Sequence, residues 1–221
     1  MKNLKILSMN LGNSYIPIID KKKKTKIAEF IQSKEFDIVM LQGNNRKLEK
    51  NYLGYEIVTF NNRVVTLVNS KSSLGVVGEV KFGKIGNVTI SPFNANFDKT
   101  FLACININSN KKNNIKDIFN ICKLYCDEKM SSYSRYRIIA GSFPRNLNIE
   151  DFCNQFDLED ISSSIGQSYY SDKELLDYIF ISKNLKVVNN DVYKHIGLVD
   201  VDKALSTYPI EASVTLKKVL K

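Results

Sequence analysis

Residues 175–182, LLDYIFIS, place one carboxylate, Asp177, in an apolar run that is typical of a buried strand. Burying a carboxylate is costly unless another group hydrogen-bonds to it. The sequence therefore predicts a specific partner for Asp177. Asn10 and Gln42 end two further apolar runs, LKILSMN and FDIVMLQ, so polar side chains recur where the expected strands stop.

The rest of the chain indicates a mixed order of strands and helices. Apolar runs and alternation predict strands at 4–10, 36–42, 55–60, 64–69, 76–82, 88–90, 101–107, 136–140, 175–181, 185–188 and 210–216. Helical spacing of apolar residues predicts helices over about 21–34, 115–130 and 149–156. Because no repeat or linker interrupts the pattern, we expect one domain over 1–221, built as an α/β sandwich.

Five segments resemble, in order and spacing, the motifs of the endonuclease/exonuclease/phosphatase superfamily. They are LKILSMNLG (4–12), FDIVMLQG (36–43), ACININSN (103–110), YRIIAGSFPRN (136–146), and LLDYIFIS (175–182) followed by LSTYPI (205–210). The resemblance covers essentially the whole chain. It implies the deoxyribonuclease I-like fold, a four-layer αββα sandwich of the α/β (α+β) class.

The resemblance also implies a chemistry, which is metal-assisted hydrolysis of phosphoesters. In that chemistry a carboxylate holds Mg²⁺, an aspartate activates water and a histidine stabilises the transition state. Two of the family's polar positions are kept here, as Asn10 and Asp177. Six are replaced: Gly43 stands for the metal-binding glutamate, Asn108 and Tyr208 for two histidines, Ser142 and Thr207 for two aspartates, and Pro144 for an asparagine. For Asp177, whose family partner is the lost terminal histidine, we expect a backbone N–H, Thr207 or Tyr208 instead.

These replacements predict a pseudoenzyme with no catalytic residues and no metal or other cofactor. Removing one preorganised catalytic group typically costs about 10²–10³ in rate, and here nearly all are missing. We expect the fold to be reused for binding, structure or assembly with an unidentified protein partner, and a virus would suit such a degenerate protein. The alternative is an active Mg²⁺-dependent phosphodiesterase or nuclease with relocated ligands. Its candidate carboxylates are Glu35, Asp37, Glu56, Asp172, Glu174 and Asp177.

The net charge of +9 permits a nucleic-acid partner but does not require one. The chain has 27 lysines, 5 arginines and 24 asparagines, a composition typical of an AT-rich genome. The candidate nucleic-acid contacts are the lysines bordering the expected cleft: Lys21, Lys22, Lys23, Lys24, Lys26, Lys111 and Lys112. For the lysines at 21–26 a solvated, codon-biased loop is the leading alternative, and a nuclear-import signal is a further one. The single histidine, His195, lies outside both positions where the family keeps one.

The remaining features predict an intracellular protein, either cytoplasmic or nuclear, or a virion component if the source is a virus. No apolar run approaches the roughly 18–20 residues of a membrane span, and the first residues lack the apolar core of a secretory signal. The four cysteines form no CxxC pair, which favours buried, reduced thiols: Cys104, Cys122, Cys126 and Cys153.

Overall fold

A computed structural model of the chain describes residues 3–15, 26–44, 51–52, 54–60, 63–76, 80–81, 88–95, 100–108, 115–123, 136–144, 146–163, 177–192 and 209–216. The elements, in chain order, are β1 (Leu4–Tyr15), α1 (Lys26–Lys34), β2 (Ile38–Asn44), β3 (Asn51–Tyr52), β4 (Tyr55–Phe60), β5 (Val64–Asn69), β6 (Leu74–Val76), β7 (Val80–Lys81), β8 (Val88–Ala95), β9 (Thr100–Asn108), α2 (Ile115–Lys123), β10 (Tyr136–Ser142), α3 (Ile149–Phe156), β11 (Leu158–Asp160), β12 (Asp177–Ser182), β13 (Leu185–Val192) and β14 (Ile210–Leu216).

The described strands form two mixed sheets. The first has the order β13-β14-β1-β2-β5-β4-β3, in which β1 and β2 are parallel and the other pairs are antiparallel. The second has the order β11-β12-β10-β9-β8-β6, with β7 also paired to β8, and its parallel pair is β9 and β10. Each parallel pair sends the carboxyl ends of its two strands to one edge of its sheet, where polar residues can meet.

The central strands carry continuous apolar runs whose side chains point alternately to the two faces of the sheet, so both faces of each sheet are buried. The inner faces of both sheets share one core, to which Ile6, Ile38, Ile138 and Ile179 contribute. The outer face of the first sheet packs under α1, and that of the second sheet packs under α2 and α3. The order of layers is therefore helix, sheet, sheet, helix, which confirms the predicted four-layer sandwich.

The helix α3 shows how local sequence sets an element's limits. Asn148 caps its start by accepting a hydrogen bond from the backbone N–H of Asp151 at 3.2 Å. Its end falls at Asp157, which adopts the left-handed conformation and donates its N–H to the carbonyl of Cys153. None of the helices in the described ranges is both long and apolar enough to cross a membrane.

Most predicted elements are confirmed, including the 55–60/64–69 hairpin and the strand at 210–216. The strand expected at 76–82 is described only at Val76, the end of β6, and at Val80–Lys81, which is β7, and both pair with β8; residues 77–79 and 82 lie outside the described residues. The strand β8 also runs past Ile90 through Pro92 to Ala95.

Candidate functional site

The topology gathers the predicted polar residues at one edge of the sandwich. Asn10 lies near the carboxyl end of the regular β1–β2 pairing, opposite Gln42. In the second sheet, Asn108, Ser142 and Asp177 form one lateral row, because Ser142 pairs with Asn108 on one side and with Asp177 on the other. The two rows belong to facing sheets, so their side chains meet across the interior.

Asn10 joins the two sheets at the floor of this edge. Its side-chain Nδ2 donates to Ser142 Oγ at 3.1 Å and to Asp177 Oδ1 at 3.2 Å. All three residues are buried, and Asp177 and Ser142 are each only 3% exposed. Asp177 Oδ1 therefore has a hydrogen-bonding partner among the described residues, the side chain of Asn10. The predicted alternatives Thr207 and Tyr208 lie outside the described residues.

The backbone of Arg63 joins two positions of the site, Gly43 and Asn108, through hydrogen bonds. Its backbone carbonyl accepts one hydrogen bond from the N–H of Gly43 at 2.8 Å and another from Asn108 Nδ2 at 3.2 Å. Gly43 and Asn108 occupy the positions that the resemblance assigns to a metal-binding glutamate and a histidine. The sequence did not point to Arg63, because a charged residue directly before a strand carries no mark of a site residue.

A second polar layer lies beneath the first, fully inside the sandwich. Gln42 Nε2 donates to Asn106 Oδ1 at 2.9 Å and to the carbonyl of Met40 at 3.1 Å. Asn106 Nδ2 donates in turn to the carbonyl of Val65 at 2.9 Å. Since the backbone carbonyls can only accept, they determine which way both amides point. Gln42 and Asn106 have no exposed surface, so their bond is a polar link between the two sheets.

The segment GSFP, residues 141–144, ends β10 with an aromatic anchor. Phe143 is fully buried and makes edge-to-face contacts with Phe152, Tyr178 and Phe180 at centroid distances of 5.2–6.0 Å. Pro144, which follows it, is also buried. In this segment Ser142 therefore belongs to the site, whereas the next two residues, Phe143 and Pro144, are buried.

The described residues do not fit a magnesium ion at this site. Mg²⁺ prefers carboxylate oxygens and an octahedral shell. Gly43 supplies no side chain, and the one described carboxylate of the row, Asp177, already accepts from Asn10 and is almost inaccessible. Across the described part of the chain, no group of three or more His, Cys, Asp and Glu residues is placed to hold a metal.

The other carboxylates proposed as relocated ligands lie elsewhere or are not described. Asp37 precedes β2 and sits six residues before Gly43, which corresponds to about 20 Å along a strand. Asp37 accepts hydrogen bonds from the N–H of Lys5 and from Ser72 Oγ, a structural role. Glu56 is exposed and pairs with Val68, near the same distant edge. Glu35 is exposed just before Asp37, whereas Asp172 and Glu174 fall outside the described residues.

Several predicted residues cannot be placed by the structure. Lys26 begins α1, and nothing is described of its side chain. The remaining basic and terminal candidates lie outside the described ranges: Lys21, Lys22, Lys23, Lys24, Lys111, Lys112, Thr207 and Tyr208, together with His195. Their assignment to nucleic-acid contacts or to the degenerate site stays a prediction.

Comparison with solved structures identifies the fold. An endonuclease/exonuclease/phosphatase from Bacteroides vulgatus superposes with a TM-score of 0.69 at 14% identity, covering 98% of this chain and 100% of the other. A mannosyl-6-phosphatase from Bacteroides thetaiotaomicron gives 0.63 at 12% identity, with 96% and 100% coverage. TDP2 from D. rerio, complexed with a single strand DNA product, gives 0.61 at 13% identity, with 97% and 100% coverage.

Similarity at the level of sequence is lacking. No family profile and no curated protein matches the chain. The TM-scores of 0.61–0.69 over nearly the whole of each chain show a shared architecture, although the sequence identities are only 12–14%. The helix-sheet-sheet-helix order and the two mixed sheets agree with this architecture. This chain has the fold of the endonuclease/exonuclease/phosphatase proteins.

Proposed function

We propose that this protein is a non-hydrolytic binding protein that uses the endonuclease/exonuclease/phosphatase fold without its metal chemistry. One observation carries the proposal: the strand ends that meet at the site present Gly43, Asn108 and Ser142, and the single described carboxylate, Asp177, is buried against Asn10. We expect the partner to be a protein or a nucleic acid inside the cell.

The physical basis is the charge that hydrolysis of a phosphoester has to stabilise. A divalent cation normally neutralises the developing negative charge and activates water. Hydroxyl and amide groups such as those of Ser142 and Asn108 hold such a cation poorly without carboxylates beside them. Losing one preorganised group alone costs about 10²–10³ in rate. The described residues therefore support binding better than turnover.

We expect no metal-dependent hydrolysis by the purified protein. Single- and double-stranded DNA, RNA and p-nitrophenyl phosphate would each be incubated with Mg²⁺ or Mn²⁺, and product would be measured against the Asp177→Asn variant. The wild type and the variant should show the same background rate, because the wild type has no metal-activated water to lose. Circular dichroism would establish that the variant is folded.

The relocated-ligand alternative makes the opposite prediction. Turnover that requires Mg²⁺, disappears with EDTA and falls at least tenfold in Asp177→Asn would contradict the proposal. Replacing Asp172 and Glu174 with asparagine and glutamine would then show whether these carboxylates hold the metal. Glu56→Gln is the matched control, since Glu56 is exposed at the far edge and its loss should leave any turnover unchanged.

Nucleic-acid binding is the part of the proposal that concerns the lysines of residues 21–24, Lys26, Lys111 and Lys112. We expect the affinity for DNA, measured by fluorescence anisotropy, to fall linearly with salt on a log–log plot as counterions are released. Replacing the four lysines at 21–24 with alanine should reduce that slope by roughly 0.7–0.9 for each phosphate that is no longer neutralised.

The control for this experiment is a pair of lysines that is not among the candidate nucleic-acid contacts, Lys217 and Lys218. Replacing both with alanine removes two positive charges and should leave the slope unchanged. Absence of binding at about 50 mM salt, where phosphate contacts are strong, would refute the nucleic-acid prediction. An unchanged slope in the quadruple variant would refute the role of residues 21–24.

A further inference from the structure

The side-chain oxygen of Gln42 is a buried acceptor in the second polar layer that still needs a donor. Gln42 is fully buried, and its Oε1 receives no hydrogen bond from any residue that the structure describes. Buried polar atoms in folded proteins nearly always have a partner, which is either a protein group or an ordered water. An acceptor enclosed in this way therefore indicates a donor that the described residues do not supply.

The orientation of the Gln42 amide is fixed by the hydrogen bonds of its nitrogen. Nε2 donates one hydrogen to Asn106 Oδ1 at 2.9 Å and the other to the carbonyl of Met40 at 3.1 Å. Turning the amide end over end would place Oε1 against these two acceptors, and neither of them has a hydrogen to give. Oε1 therefore stays on the other side of the amide, where it needs a separate donor.

Two small side chains face each other across the sheets at this level. Asn10 Nδ2 contacts Ser142 Oγ between the sheets at 3.1 Å. Two residues earlier on the same strands, Ser8 and Ala140 point to the same inner faces, because side chains alternate along a strand. Both residues are buried. The facing pair next to the Asn10–Ser142 contact is therefore a serine and an alanine.

The next pair along these strands is much larger. Ile6 and Ile138 follow at the same spacing, and both belong to the core that the inner faces share. A protein interior is close-packed and leaves few voids larger than a water molecule. Where Ser8 and Ala140 replace side chains of this size, the sandwich has room for a molecule such as water, which takes up about 30 Å³ in the liquid.

We propose that the second polar layer contains a binding site for one water molecule, between Ser8 and Ala140 and against Gln42 Oε1. Ala140 is the lateral neighbour of Asn106, to which the Gln42 amide is bonded, and Ser8 Oγ lies 3.4 Å from Gln42 Nε2. The water donates one hydrogen to Oε1 and accepts the hydroxyl hydrogen of Ser8.

The reach of a single water suits this pair of oxygens. Hydrogen bonds of about 2.8 Å on each side allow one water to bridge oxygens up to about 5.6 Å apart. Two polar partners are enough to hold a buried water, which then belongs to the structure and is separate from bulk solvent. The site does not depend on whether the protein hydrolyses phosphoesters.

A crystal structure of the wild-type protein at atomic resolution tests the site directly. We expect a peak of electron density within about 2.5–3.0 Å of both Gln42 Oε1 and Ser8 Oγ, the range of ordinary O–H···O hydrogen bonds. A protein group that donates to Oε1 in place of the water would overturn the proposal. So would a map with no density beside this oxygen.

Two matched variants test the position of the water. Ala140→Val adds two methyl groups where we place it, so the density should be lost in this variant. Ala212→Val adds the same groups to the same core, but Ala212 pairs with Ile6, four residues before Asn10, and the density should be kept. Density that persists in Ala140→Val, or that disappears in Ala212→Val, would show that the water is not held at the proposed position.

Urea denaturation distinguishes a displaced water from simple overpacking. When Ala140→Val displaces the water, Gln42 Oε1 loses its donor, whereas in a Gln42→Met background this oxygen does not exist. The substitution should therefore lower the urea midpoint more in the wild type than in the Gln42→Met protein. Equal shifts in the two backgrounds would mean that the added methyl groups only overpack the core, and they would overturn the site.

Discussion

Replacing Gly141 with alanine is expected to prevent folding or to lower the free energy of unfolding by about 4 kcal/mol or more, the range of the most damaging single substitutions. Gly141 lies in β10 with φ of +130°, a conformation that residues with a Cβ rarely adopt. A Cβ built there would lie 1.9 Å from the carbonyl oxygen of Ile107 in the neighbouring parallel strand. Because this oxygen belongs to the backbone, β9 and β10 would have to separate beside Ser142.

Gly54→Ala provides the control that separates the effect of the positive φ from the effect of the steric clash. Gly54 also has a positive φ, +82°, but a Cβ at this position would meet no atom within 4 Å. Its substitution should therefore cost only the conformational strain, about 1–2 kcal/mol. Urea denaturation followed by circular dichroism would compare the two variants. A Gly141→Ala protein as stable as Gly54→Ala would show that the close approach of β9 and β10 is not a constraint.

Asn106→Ala is expected to lower the free energy of unfolding by roughly 2–4 kcal/mol, since it strands buried polar groups and leaves a cavity. The substitution removes the acceptor of Gln42 Nε2 and the donor that reaches the carbonyl of Val65. All of these groups are far from water, so no solvent replaces the missing hydrogen bonds. The same denaturation experiment would measure the destabilisation.

Asn108→Ala is the matched control, because it removes the same side chain two residues along the same strand. Asn108 is half-buried, and the Arg63 carbonyl that it contacts keeps its bond from Gly43. We expect a cost below about 1 kcal/mol, near the net value of an ordinary hydrogen bond. Equal losses of unfolding free energy in Asn106→Ala and Asn108→Ala would contradict the stabilising role assigned to the second polar layer.

A double-mutant cycle tests the link between the sheets directly. Gln42→Ala should destabilise the wild type more than it destabilises Asn106→Ala, because in the second case the bond is already absent. The difference should exceed about 0.5 kcal/mol, the level at which contacting residues are recognised as coupled. Additive effects would mean that Gln42 and Asn106 stabilise the protein separately.

The sequence predicted much of the fold because each strand is marked locally by its pattern of apolar residues. Alternating or continuous apolar runs identified most of the strands, and Asp177 stood out as a carboxylate within one of them. The five motif segments, taken in order, predicted the four-layer sandwich. Of the strand expected at 76–82, the structure describes Val76 and Val80–Lys81, which pair with separate parts of β8.

Part of the site was missed for a different reason. Asn106 interrupts the apolar run FLACINI in the way that Asp177 interrupts LLDYIFIS, so the same argument applied to it could have found it. Arg63 carries no such signal, since a charged residue in a turn is ordinary. Its relation to Gly43 and Asn108 is made by its backbone carbonyl, which no side-chain pattern reveals.

The sequence by itself determined where most of the strands lie and which acidic side chains of the resembling family are missing, because both can be read from residue types and their order along the chain. Only the tertiary structure decided which polar residues meet. Asn10 contacts Ser142 and Asp177 across 132 and 167 residues of chain, in the opposite sheet. Such a contact depends on the pairing registers of β1, β10 and β12 together. A local pattern carries no information about these registers, so the partner of the buried carboxylate became known only once the two sheets were packed face to face.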